Sequence, residues 1–170
     1  MPTIQKKICL LGAFGVGKTS LVRRYVEGAY DDRYLSTLGV KISQRTLLRP
    51  YGRLEFYIWD LAGQDEFMKT ETHYLTGLAG AFIVCDLTRP DTLRVLEQYI
   101  GRVQATNPHA FIVLVGNKAD LSDQQQITYN DLVAAGRLAG ALPCLLTSAK
   151  TGENVEAMFA MLAEQLEYSA

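Results

Sequence analysis

An α/β fold, a mostly parallel sheet with helices on both faces, is what this sequence predicts. Three observations carry the prediction. Short apolar, strand-like runs alternate with segments of helical period along the chain. Two of the runs, 81–87 and 111–116, read as continuously apolar, as in central parallel strands buried on both faces. A glycine-rich loop, Gly12-Ala13-Phe14-Gly15-Val16-Gly17-Lys18-Thr19, stands between the first strand and the first helix.

The elements follow in order. Ile8-Cys9-Leu10-Leu11 is an apolar run closed by glycine and predicts a buried strand. Residues 19–27 predict a helix with Leu21, Val22, Tyr25 and Val26 on one side, and 28–38 is polar and aromatic, as in a loop. Segments 39–48 and 53–60 flank Arg49-Pro50-Tyr51-Gly52, which predicts two strands paired as an antiparallel hairpin. Helices are predicted over 91–105, 129–138 and 154–166, with Asp91 capping the first. Residues 141–146 predict a sixth, weaker strand. With no internal repeat, low-complexity tract or linker, residues 1–170 are expected to form one domain.

Composition narrows the function classes. Of 170 residues, 48% are hydrophobic and 21% charged, with a formal net charge of -1. That balance gives no basis for bulk binding of nucleic acid or an anionic membrane. No apolar run approaches the roughly 20 residues needed to span a bilayer, and the first residues carry no signal-peptide core. Cys9, Cys85 and Cys144 are an odd, scattered set in apolar segments. They read as reduced core thiols of a cytoplasmic protein, not as a disulfide frame or a zinc site.

The loop matches G-x-x-x-x-G-K-[ST]. Its glycines let the backbone wrap, so that N–H groups point inward at anionic oxygens. The helix that follows adds the positive end of its dipole. The candidate phosphate contacts are Phe14, Gly15, Val16, Gly17, Lys18, Thr19 and Ser20. Lys18 can place an ammonium on the outer phosphates, and the Thr19 hydroxyl can bind Mg²⁺. The motif predicts a nucleoside triphosphate and does not select the base.

Val115-Gly116-Asn117-Lys118-Ala119-Asp120 ends a buried strand, where open parallel sheets bind ligands. The Asp120 carboxylate only accepts hydrogen bonds, so it can take both the ring N–H and the amino group of guanine. Adenine offers no such pair of donors. Thr147-Ser148-Ala149-Lys150 ends the next strand, and its backbone N–H groups could reach the guanine carbonyl. Taken alone, Asn117 and Asp120 would equally suit a loop of turn-forming polar residues.

On these motifs the chain resembles a Ras-superfamily small GTPase, most similar to the Rab branch, and also looks like the small Ras-like GTPases of prokaryotes. The resemblance covers nearly the whole chain. It rests also on Ser36-Thr37-Leu38-Gly39, Trp59-Asp60-Leu61-Ala62-Gly63-Gln64 and Ser148-Ala149-Lys150. It implies a P-loop NTPase G domain with a six-stranded sheet, one antiparallel edge strand and five helices. It implies a GTP/GDP switch that uses Mg²⁺, hydrolyses GTP slowly and engages effectors in the GTP state. Thr19, Thr37 and Asp60 would serve the metal, Gly63 would reach the γ-phosphate, and Gln64 would orient the attacking water. Gln64, Lys18, Gly63 and Thr37 are thus the catalytic candidates. Tyr30 would lie along the edge of the base and Tyr34 over the phosphates.

Effectors, exchange factors and activating proteins would bind the segments around 30–39 and 63–74. Trp59 and Tyr74 match two members of an aromatic effector surface, with Ile42 in place of the third. A monomer is expected. Two departures stand out. The last cysteine is Cys144 and the sequence ends Glu167-Tyr168-Ser169-Ala170, so no prenyl, myristoyl or polybasic anchor is visible. Phe14 stands where the family pattern has a small residue facing the γ-phosphate, and a ring there would crowd Gln64. Two rivals stay open: a kinase or ATPase on the same fold, which leaves Asn117-Lys118-Ala119-Asp120 unexplained, and a scaffold that holds GTP without turnover.

Overall fold

A computed structural model describes residues 1–28, 30, 40–61 and 72–168. Its sheet has six strands: β1 (Thr3–Gly12), β2 (Val40–Arg49), β3 (Gly52–Leu61), β4 (Leu78–Asp86), β5 (Phe111–Asn117) and β6 (Cys144–Leu146). The order is β2-β3-β1-β4-β5-β6. β2 and β3 pair antiparallel, as the hairpin reading required, and every other pairing is parallel. Among the described residues there are five α-helices: α1 (Lys18–Glu27), α2 (Pro90–Arg94), α3 (Leu96–Thr106), α4 (Tyr129–Arg137) and α5 (Val155–Tyr168).

The strands alternate between two cores. Ile8 and Leu10 of β1 join Phe56, Ile58 and Phe82 under α1 and α5. Cys9 and Leu11 face the other way, onto Ile83, Leu96, Ile100 and Leu132. Both faces of β4, β5 and residues 8–12 of β1 are therefore buried, which is why those stretches carry so few polar residues, whereas residues 3–7 of β1 are exposed or half-buried and mostly polar. Tyr25 of α1 stacks on Phe159 of α5 with centroids 3.7 Å apart, and Phe82 meets the same ring edge-on at 4.9 Å. Cys9 and Cys85 are buried free thiols and Cys144 a half-buried one. Burial pushes the Cys85 thiol up to about 12.

Three local expectations are corrected. The strand expected over 141–146 shrinks to Cys144–Leu146. Ala141 is left-handed at φ 58, and Pro143 has no N–H and lends only its carbonyl, to the Leu114 N–H at 2.9 Å. Asp91 does not cap a helix: Arg89 is the N-cap, Pro90 takes the first position and Asp91 lies in the first turn. The helix expected over 91–105 is interrupted at Val95, which divides α2 from α3. Among the described residues no helix is long and apolar enough to cross a membrane.

The parallel strands end together at Gly12, Leu61, Asp86, Asn117 and Leu146. Loops carrying the polar motif residues leave the sheet along this one edge, where an open α/β sheet binds its ligands.

Candidate functional site

β1 delivers the chain into the phosphate loop at Gly12, whose φ is +148 and where an added Cβ would lie 2.3 Å from the Val84 carbonyl oxygen. The loop leaves through Gly17, with φ +101 and room for no Cβ, since the Asn117 Nδ2 would be 2.3 Å away. α1 starts at once, so its free N–H groups and dipole face the loop. Lys18 curls back over the loop and donates to the carbonyls of Gly12 at 2.9 Å and Ala13 at 3.1 Å. It is 7% exposed. Burial lowers its pKa to about 8, and the charge of Asp60 partly opposes that shift.

Thr19 donates from its hydroxyl to Asp60 Oδ2 at 2.5 Å. Asp60 sits near the end of β3 and is 1% exposed. A hydroxyl and a buried carboxylate meeting beside an anion-binding loop form a hard-oxygen donor set, which fits Mg²⁺.

β5 delivers the candidate base loop. Asn117 is buried and spans the two loops: its Nδ2 donates to the Val16 carbonyl at 2.9 Å. Its Oδ1 accepts from the Thr147 hydroxyl at 3.1 Å and the Ala149 N–H at 3.3 Å. Lys118 adopts φ 70 and places Nζ 2.8 Å from Asp86 Oδ2. The other oxygen of Asp86 accepts from the Thr88 N–H at 2.9 Å and hydroxyl at 2.7 Å. Asp120 accepts from the Ser148 hydroxyl at 2.7 Å, and the Ser148 oxygen in turn accepts from the Thr151 N–H at 3.1 Å. Arg24 of α1 donates to the Ala149 carbonyl at 2.8 Å and also to that of Lys150.

The result is a cleft of about 110 Å³ bordered by Gly17, Tyr30, Lys118, Asp120, Ala149 and Lys150, with Ser20 also on its wall. Gly15, Val16, Gly17, Lys18, Thr19, Asp60, Asn117, Lys118, Asp120, Ser148, Ala149 and Lys150 thus converge on one edge of the sheet. Phe14 is there too, with 45% of its surface exposed. Tyr34, Thr37, Gly63 and Gln64 lie outside the described residues. Asp86 and Arg24 were not anticipated from the sequence. A charged residue inside the otherwise apolar run 81–87 was the signal for Asp86; Arg24 looked like any helix-surface arginine.

On the far side of the hairpin Trp59 and Tyr74 lie with ring centroids 6.1 Å apart. Lys7 Nζ sits 3.9 Å from the Trp59 ring centroid. Ile42 pairs across the ladder with Trp59 and is exposed.

A mostly parallel six-stranded sheet with a phosphate loop after β1 and a carboxylate-bearing base loop after β5 defines a P-loop nucleotide-binding protein. Residues 7–168 match the model of the Ras family. Ras-related protein Rab-31 of Rattus norvegicus is 34% identical over 161 residues, 94% of this chain and 82% of that protein. Ras-related protein RHN1 of Nicotiana plumbaginifolia is 36% identical over 164 residues, 96% and 82% of the two chains. Ras-related protein Rab-19 of Homo sapiens is 32% identical over 161 residues, 94% and 74%. The chain belongs to the Ras family, near its Rab branch, and its members are GTPases.

Proposed function

We propose that this protein is a Mg²⁺-dependent guanine-nucleotide switch that hydrolyses GTP slowly and engages effectors in its GTP state. The observation that carries the reading is the pairing of Asp120, held by Ser148, with the phosphate loop across one strut, Asn117. Asp120 accepts both guanine donors, and the Ala149 N–H stands beside the expected place of the guanine carbonyl. The loop amides and Lys18 bind the phosphates, and Tyr30 borders the base. Thr19 and Asp60, with Thr37, would hold Mg²⁺, which when bound would supply neutralisation of the phosphate charge. Gln64 orients the attacking water, and loss of the γ-phosphate would remove the contacts of Thr37 and Gly63 and so release both of their segments.

Hydrolysis stays slow because the side chains mainly position water and phosphate, and an aromatic ring at position 14 would crowd the glutamine that orients the water. The protein acts as a cytoplasmic monomer. Effectors, exchange factors and activating proteins bind the segments around residues 30–39 and 63–74, with Trp59 and Tyr74 offering aromatic surface to an effector. The test is the nucleotide that co-purifies, followed by single-turnover hydrolysis of bound GTP with Mg²⁺. Bound GDP or GTP and a slow, Mg²⁺-dependent release of phosphate are expected. An adenine nucleotide, or no nucleotide at all, would overturn the reading; bound GTP that never turns over would leave a scaffold.

A further inference from the structure

The turn after β4 reaches both halves of the site. Its Asp86 pairs with Lys118 of the base loop at 2.8 Å. Three residues on, Arg89 Nη1 donates to the Phe14 carbonyl in the phosphate loop at 2.9 Å. The two ends of the turn are tied by the Arg89 N–H, which donates to the Asp86 carbonyl at 2.9 Å. Arg89 also faces Asp91 at 3.4 Å; the Arg89 side chain is partly exposed and that of Asp91 largely so.

We infer that Arg89 is a positioning residue of the phosphate loop, which holds the Phe14–Gly15 peptide so that the Gly15 N–H faces the phosphates. The inference rests on the nucleotide reading above. A trans peptide is planar, and its C=O and N–H point in opposite directions. A guanidinium that draws the Phe14 carbonyl outward therefore turns the Gly15 N–H inward, where the loop needs donors for anionic oxygens. A cationic donor on the carbonyl also polarises the amide and strengthens the hydrogen bond its N–H makes. Gly15 has φ +78, so the loop reverses direction just after this peptide. The ion pair with Asp91 is exposed and contributes little by itself.

The experiment compares Arg89→Ala, Arg89→Lys, Asp91→Ala and the double variant Phe14→Gly/Arg89→Ala. The readouts are dissociation of a fluorescent GDP in Mg²⁺, single-turnover hydrolysis of GTP, and melting temperature after nucleotide removal. Arg89→Ala is expected to release GDP about tenfold faster, on the scale of one charge-assisted hydrogen bond, and to slow hydrolysis. Arg89→Lys should recover part of both, because it keeps a cationic donor. Asp91→Ala should match the parent, and the nucleotide-free melting temperature should not move. The effect of Arg89→Ala should persist beside Phe14→Gly, since the carbonyl remains. An unchanged GDP release in Arg89→Ala would overturn the inference. So would an effect that disappears in the Phe14→Gly background, because Arg89 would then act on the ring. A parent that retains no guanine nucleotide overturns the functional reading itself, whereas one that retains GDP and ignores Arg89 overturns only this inference.

Discussion

On the proposed reading, base choice rests on one oxygen pair, that of Asp120. Its Oδ1 already accepts from Ser148 at 2.7 Å, so the carboxylate is held in orientation before any base arrives. Asp120→Asn should turn preference from guanine toward xanthine nucleotides, because an amide donates to the xanthine carbonyl. The lost guanine bonds should cost on the order of 2–4 kcal/mol, and competition between GTP and XTP reads the outcome. Lys18 makes a second prediction, through pH. Burial lowers its pKa to about 8, and phosphate oxygens against it would raise it again. GDP binding should therefore take up a proton as pH rises past that value, and affinity, full below it, should fall above it. Calorimetry at about pH 9 in two buffers of different ionisation enthalpy would reveal the uptake; equal heats would place Lys18 away from the phosphates. In the nucleotide-free protein the sign is opposite for folding: the unfolded chain holds the Lys18 proton longer, so stability rises from about 8 toward the ordinary lysine value of 10.5. Phe14 supplies a third prediction. Its ring is a good part in solvent, and its backbone rather than its side chain serves the loop. Phe14→Gly or Phe14→Ser should leave GDP affinity nearly unchanged and raise single-turnover hydrolysis roughly tenfold, if about 1.4 kcal/mol of crowding near Gln64 is relieved. An equal or lower rate in both variants would mean the ring lies outside the catalytic volume.

At the scale of elements, how closely strands approach their neighbours decides which glycines are replaceable. Gly12 ends β1 against the backbone of β4, with the Val84 carbonyl oxygen 2.3 Å from an added Cβ. Gly116 in β5 meets side-chain methyls instead, Leu87 Cδ2 at 2.6 Å and Leu146 Cδ2 at 3.0 Å. Backbone cannot step aside without breaking ladder bonds, while a leucine tip can change rotamer. Gly12→Ala should therefore cost about 3 kcal/mol or more and Gly116→Ala about 1–2 kcal/mol. Denaturant unfolding of both variants without nucleotide would reverse the idea if Gly116→Ala were the costlier. The same distinction explains what could be read ahead of the structure. Strands β4, β5 and residues 8–12 of β1 announce themselves because burial on both faces nearly excludes polar residues, whereas the mostly polar residues 3–7 of β1 carried no such signal. The phosphate and base loops announce themselves because fixed spacing is what lets amides, an ammonium and a carboxylate meet. The interruption at Val95 left no trace, because the apolar period runs through it unbroken. The short β6 was overread because Ala141 and Leu142 are apolar, but Ala141 is left-handed and Pro143 follows, so the ladder starts only at Cys144. The Asn117 strut and the Arg24 bonds to Ala149 and Lys150 depend on contacts between distant segments, which no local pattern encodes.

At the scale of the molecule, the candidate site is assembled where loops from separate strands leave one edge of the sheet. β1 and α1 bring the phosphate loop, β3 brings Asp60, and β5 with the β6–α5 loop brings the base contacts. Asn117 to Val16, Thr19 to Asp60 and Arg24 to Ala149 are the principal polar ties between these pieces among the described residues. A nucleotide with its metal would join all of these pieces at once, so its binding energy appears directly as stability of the fold. Ligand at about a thousand times its dissociation constant contributes about 4 kcal/mol. For a chain of this length that corresponds to a melting temperature roughly 8–16 °C higher. Chelation should uncouple the effect: with Thr19 and Asp60 deprived of metal, EDTA should speed GDP release strongly and lower the melting temperature toward that of the stripped protein. The decisive comparison is the melting temperature with GDP and Mg²⁺, with GDP and EDTA, and after nucleotide removal. A graded fall through the three states is expected. GDP release and melting that ignore EDTA would remove the metal from the site, and identical melting with and without GDP would mean that this edge is not where the nucleotide binds.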